Sequence, residues 1–271
     1  MQTFSRIVAV GAVAGLLVVA AGCQKLRARD NLNKGVQAFK TAQYAVAVDF
    51  FKKSVDLDPT FPTARLYLAT AYMSQYIPGA ESPENTKMAE SAHQEFLRVL
   101  EMDSKNTLAI ASIASLFFHQ KKLDEAEKWY RRVVEVDPKN KEAFYTLGVI
   151  AWTRTFQKRM DARAKLGMRP EDPGPLKDKK VREEVAAANL PVVEEGIKHL
   201  ESALNVDKEY DDAMAYMNLL HRERADLQPD ANAYRKDIDI ADSWVQKTLD
   251  TKKKKAAAMP AGATGIVSED Q

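Results

Sequence analysis

The chain has 271 residues, 45% of them hydrophobic, which suffices for one or two ordinary domains or one elongated array. Its 40 basic residues nearly balance 38 acidic ones, so overall charge gives no case for nucleic acid or an anionic surface as partner. A single cysteine, Cys23, excludes an internal disulfide framework and a cysteine-built metal site, and the low glycine and proline counts, 11 each, favour helix over sheet.

In chain order, the first element is an address. Residues 1–6 are polar with one arginine, residues 7–19 (IVAVGAVAGLLVV) are apolar without a charge, and AAGC follows at 20–23. A basic start, a short apolar run and a small-residue cleavage site make up a secretory signal, and the apolar run is too short to span a bilayer. Small residues directly before a cysteine resemble the lipobox of bacterial lipoproteins, with Ala20 where leucine is usual. That resemblance implies removal of residues 1–22, acylation of Cys23, a lipidated linker at 23–27, and a domain held at a bacterial membrane. The resemblance further implies that Gln24 after the cysteine favours the outer membrane, with the folded part in the periplasm.

The body of the chain repeats itself. VDLDPTF, LEMDSKN, VEVDPKN and LNVDKEY place an aspartate at 58, 103, 137 and 207, each followed by a helix-like pattern. Small residues in the helix after each stop (Gly35, Ala69, Ala114, Gly148) and in each second helix (Ala47, Ala92, Ala126, Gly196) keep the same register. That register is a 34-residue unit with insertions of 11 and 36 residues. In DEAEKWYRRVVEVDP, Ala126, Tyr130 and Val133 recur at helical spacing, and proline then denies the helix its next donor. A 34-residue helix–turn–helix period resembles the tetratricopeptide repeat. The resemblance implies an all-α, right-handed α-solenoid of about five helix pairs with two insertions inside repeats. Its units run 28–61, 62–106, 107–140, 141–210 and 211–250.

Both insertions fall within a pair. The first, around YIPGAESPEN, reads as an irregular loop, with Ser82 capping a helix that opens at Pro83. The second spans about 153–192. It extends a helix to Gly167, turns through MRPEDPGPL, and adds a further helix before Pro191 opens the pair's second one. It is rich in basic residues, which read first as a solvated helix face, and Arg154, Lys158, Arg159 and Arg163 are otherwise a candidate patch for an acidic partner. Residues 232–249 read as a capping helix, and 251–271 as a disordered polar tail.

No residue pattern calls for catalysis, a metal or a cofactor. The histidines (93, 119, 199, 221) lack metal-ligand spacing, and neither a phosphate-binding glycine loop nor a nucleophile elbow occurs. The inward places of the tetratricopeptide pattern fall on Leu32, Val36 and Met73, then Phe118 and His119, then Tyr145 and Trp152. This surface is apolar and aromatic, without the lysines and asparagines that clamp a terminal carboxylate in some family members. The resemblance therefore implies a membrane-anchored adaptor that binds a protein or peptide and is not an enzyme. Narrower roles in that class are an outer-membrane or pilus assembly factor, or an adaptor for a peptidoglycan hydrolase. The rival from another class is an enzyme with its site in 153–192.

Overall fold

The computed structural model describes residues 23–258. The signal segment at 1–22 and the tail from 259 lie outside the described residues. Every described regular element is a helix: α1 (residues 23–40), α2 (Tyr44–Leu57), α3 (Pro62–Met73), α4 (Pro83–Met102), α5 (Thr107–His119), α6 (Leu123–Val136), α7 (Lys141–Lys165), α8 (Lys179–Val206), α9 (Asp211–Asp226) and α10 (Ala231–Ala258). They follow one another as helix pairs, an α-solenoid of the tetratricopeptide type. The chain divides between Trp129 and Tyr130, inside α6, into two compact units.

One turn design recurs between pairs. Asp58, Asp103, Asp137 and Asp207 each accept a hydrogen bond from the backbone N–H two residues on, at 2.9–3.1 Å. Each aspartate carbonyl also accepts from the N–H three residues on, at 3.1–3.2 Å. The side chain thus mimics a backbone turn, and it does so whether the next residue is Pro59, Ser104, Pro138 or Lys208. Aspartate is the constant device, with proline an accessory. Asn106 and Asn140 then cap α5 and α7 by accepting from Ala109 and Ala143.

In the first unit, Gly35 of α1 lies under the ring of Phe51 in α2, where a Cβ would collide with it. Ser54 Oγ donates to Ala28 O at 2.7 Å, and Ala28, Ala47 and Phe51 are fully buried. α3 and α4 close through Leu68, Ala69, Ala92, Phe96 and Val99, and Arg65 pairs with Glu95 at 2.9 Å. Buried Asn85 fixes the first insertion, accepting from Ile77 N and donating to Ile77 O and Ala80 O. Ser82 accepts from Asn85 N, the cap expected there.

In the second unit α7 and α8 form a long antiparallel hairpin. A Cβ on Gly148 would sit 2.5 Å from Leu200, and one on Gly196 would sit 2.5 Å from Ala151 Cβ. Both glycines therefore mark the crossing of these helices. The core joins Val193, Ile197, Leu200, Leu204, Met214, Met217 and Leu220.

Three sequence expectations need correction. Pro191 does not open a helix; it lies inside continuous α8. Its missing N–H leaves Ala187 O without a helical donor, but both residues are exposed, so water can serve that carbonyl. The linker at 23–27 is the start of α1, drawn into the helix that buried Ala28 anchors. The capping helix does not stop at 249: α10 continues to Ala258, because Lys254 pairs with Glu209 and Lys255 with Asp211.

Candidate functional site

Steps of four and three residues bring Tyr145, Val149, Trp152, Phe156 and Arg159 to one face of α7. Tyr210, at the α9 N-cap, and Tyr216 on α9 pack against that face. The rings make a continuous run: Tyr210 to Tyr145 5.3 Å between centroids, Tyr145 to Tyr216 5.5 Å, Tyr216 to Trp152 5.7 Å, and Trp152 to Phe156 4.9 Å. The two contacts of Tyr216 are edge-to-face, the arrangement its quadrupole prefers. All five rings are half-buried; Tyr145, Trp152, Tyr210 and Tyr216 rest on the core of the unit and keep a part open to solvent.

Cations of the chain cover both ends of this stripe. Lys141 Nζ lies 5.0 Å from the Tyr210 centroid and 2.7 Å from Asp207. The Arg159 guanidinium lies 5.7 Å from the Phe156 ring and pairs with Glu223 at 2.9 Å and Asp226 at 2.7 Å. Burial raises the Tyr145 phenol to about 12, reinforced by Tyr216 and the Asp212 carboxylate. Tyr216 and Tyr210 are raised as well, first by burial and then by Asp212 and Glu142 respectively. All three therefore remain neutral hydroxyls at physiological pH.

Of the seven inward positions read from the sequence, the structure brings Tyr145 and Trp152 together, bridged by Tyr216. Leu32, Val36, Met73 and Phe118 are half-buried positions of the first unit. His119 is exposed and borders an open cleft of about 390 Å³ with Tyr76, Glu90 and Lys122. Tyr210 and Tyr216 escaped the sequence reading because Tyr210 only closes the fourth unit, and Tyr216 lies in the fifth, where Asn218 stands in place of the small residue of the pattern. The signal available was a pair of tyrosines flanking the acidic helix start Asp211-Asp212.

The basic patch is a correction. Arg163 is 2% exposed, donates to both carboxylate oxygens of Asp226 at 2.7 and 2.8 Å, and also to Arg169 O and Asp172 O. With Arg159 it neutralises Glu223 and Asp226, which are 1% and 2% exposed. These arginines hold the second insertion onto the end of α9, aided by Leu176 N donating to Asp226 O at 2.9 Å. Of the four, Lys158 alone is exposed; it borders an open cleft between α7 and α8 with Asp161, Lys165 and Glu184. No cluster of three or more metal-ligating side chains occurs among the described residues.

Residues 109–140, the α5–α6 pair, match the model of the tetratricopeptide repeat family. That match covers one helix pair of this chain. Sperm-associated antigen 1 of Mus musculus is 31% identical over 117 residues, 43% of this chain but 12% of that protein, so the likeness covers a repeat segment only. Among solved tetratricopeptide-like folds, MamA superposes with a TM-score of 0.57 at 14% identity, covering 87% of this chain and 97% of MamA. YrrB, described as a TPR protein with an unusual peptide-binding site, superposes with a TM-score of 0.50 at 14% identity, covering 82% of this chain and 90% of its own. At such identities the likeness is one of fold.

Proposed function

We propose that this protein is an adaptor that holds a polypeptide partner against the aromatic stripe of its second unit. The observation that carries the reading is the unbroken run from Tyr210 to Phe156, packed from beneath and open above. Ring faces fixed by mutual packing lose little freedom on binding, so contact area converts efficiently into affinity. A polypeptide is the ligand class to try first, since a peptide-binding site is described for YrrB, a protein of this fold. The account includes tethering at a bacterial membrane through acylated Cys23, the first described residue, which is exposed as a free thiol. Among the described residues no helix is long and apolar enough to cross a membrane, so such a tether would come from residues 1–23.

Two experiments test the two halves separately. Tyr145→Ala with Trp152→Ala, folded as judged by circular dichroism, is expected to lose the partner that wild type retains on affinity purification. Undiminished recovery would remove the stripe from the account. Cys23→Ala is expected to abolish incorporation of labelled fatty acid and to release the protein from membranes; retention without label would point to another attachment.

A further inference from the structure

The two ends of the aromatic stripe share one arrangement: a ring, a cation over it, and a carboxylate holding the cation. At one end these are Tyr210, Lys141 and Asp207. At the other they are Phe156, Arg159 and the carboxylates of Glu223 and Asp226. The middle has two of the three parts. Tyr145 and Trp152 supply rings that each meet Tyr216 edge-to-face. Asp212 is an exposed carboxylate on α9, one helical turn before Tyr216 and so on the same side of that helix. Among the described residues no cation of the chain lies over Tyr145, Tyr216 or Trp152, and none pairs with Asp212.

Asp212 stands in the first turn of α9, where a carboxylate complements the helix dipole. Its neighbour Asp211 meets that need too, yet it is neutralised by Lys252 and Lys255. Helix capping therefore does not account for a second, unneutralised carboxylate one turn from Tyr216. Glu142, beside Tyr210 and 3.9 Å from Lys141, adds to the negative potential at the same edge.

We propose that the middle of the stripe receives a cationic side chain of the partner polypeptide, an arginine or lysine seated on Tyr145, Tyr216 and Trp152 and held by Asp212. The inference rests on the reading of the stripe as a docking surface and specifies the chemistry of what docks. Ring faces attract a guanidinium or ammonium through their quadrupole, and the carboxylate fixes its position. Charge complementarity favours a basic segment with apolar flanks over a neutral or acidic one.

The test uses the full chain and four matched nine-residue peptides, Ala-Leu-Pro-Leu-X-Leu-Pro-Leu-Ala, with X as arginine, lysine, citrulline or glutamate, measured by isothermal titration calorimetry. The arginine peptide is expected to bind about tenfold more tightly than the citrulline peptide, which has the same shape without charge. That ratio should shrink in high salt, because Asp212 is exposed. Asp212→Asn should bring the ratio close to one, while Asp212→Glu restores it. Equal or tighter binding of the citrulline or glutamate peptide, still lost in the Tyr145→Ala/Trp152→Ala protein, would overturn the cationic partner and leave the docking surface standing. Binding indifferent to that double substitution would overturn both, as would no binding by any peptide.

Discussion

At the scale of single residues, the molecule depends on what small and acidic side chains permit. A methyl at position 196 would meet Ala151 Cβ, which is fixed to the backbone and cannot turn away, with Leu220 only 2.9 Å off. At position 148 it would meet Leu200, a side chain with rotatable bonds. Gly196→Ala is therefore expected to cost about 2 kcal/mol, net of the helix propensity alanine brings, and to cost more than Gly148→Ala. Urea unfolding of the two variants decides this; a stabilised Gly196→Ala would mean the helices do not cross there. Asp137→Ala, which strips the turn of its side-chain acceptor, is expected to cost about 1 kcal/mol although Pro138 remains. Unchanged stability would return the stop to the proline.

At the scale of elements, two attachments made by charged groups govern the second unit. α10 is fastened through Asp237, which accepts from Arg224 at 2.6 Å and from Gln228 at 2.6 Å, with His221 Nδ1 at 3.6 Å. Burial alone would raise this carboxyl, but the His221 imidazole beside it and the hydrogen bonds from Arg224 and Gln228 outweigh that and hold the group at about 2, below its ordinary 3.8. A depressed carboxyl stabilises the fold above its unfolded value and gives that up as pH falls through the folded one. The melting temperature should thus drop between about pH 4 and pH 2, with a contribution of about 1–2 kcal/mol after allowing for screening. Asp237→Asn should flatten that limb; an unchanged acid profile would contradict the assignment. The second insertion is fastened by Arg163. Arg163→Met is expected to cost about 3 kcal/mol and to open residues 166–178 to limited proteolysis, since Asp226, Arg169 O and Asp172 O lose their shared donor. Protection as in wild type would show that the apolar contacts of Met168 and Leu176 suffice.

At the scale of the whole chain, what the sequence discloses and what it conceals divide by range. The helix pairing was legible because its causes are local or periodic: an aspartate turn every repeat, a small residue at each crossing, an apolar face every third or fourth place. The fate of the basic residues in the insertion was not, because Arg159 and Arg163 are neutralised by Glu223 and Asp226, more than sixty residues further on. The end of α10 was hidden likewise, its lysines reading as part of a disordered polar tail until Glu209 and Asp211 are placed beside them. Of the five rings of the aromatic stripe, Tyr145 and Trp152 were visible at helical spacing; Phe156 lies in the second insertion, Tyr210 at the close of the fourth unit and Tyr216 in the irregular fifth. The most direct measurement of the central claim is site-specific photo-crosslinking in cells, with p-benzoylphenylalanine placed at Trp152, at Phe156 and, as control, at exposed Lys198 of α8. The account predicts one discrete protein adduct shared by positions 152 and 156 and missing at 198. Adducts at 198 alone, or none that differ among the three, would contradict it.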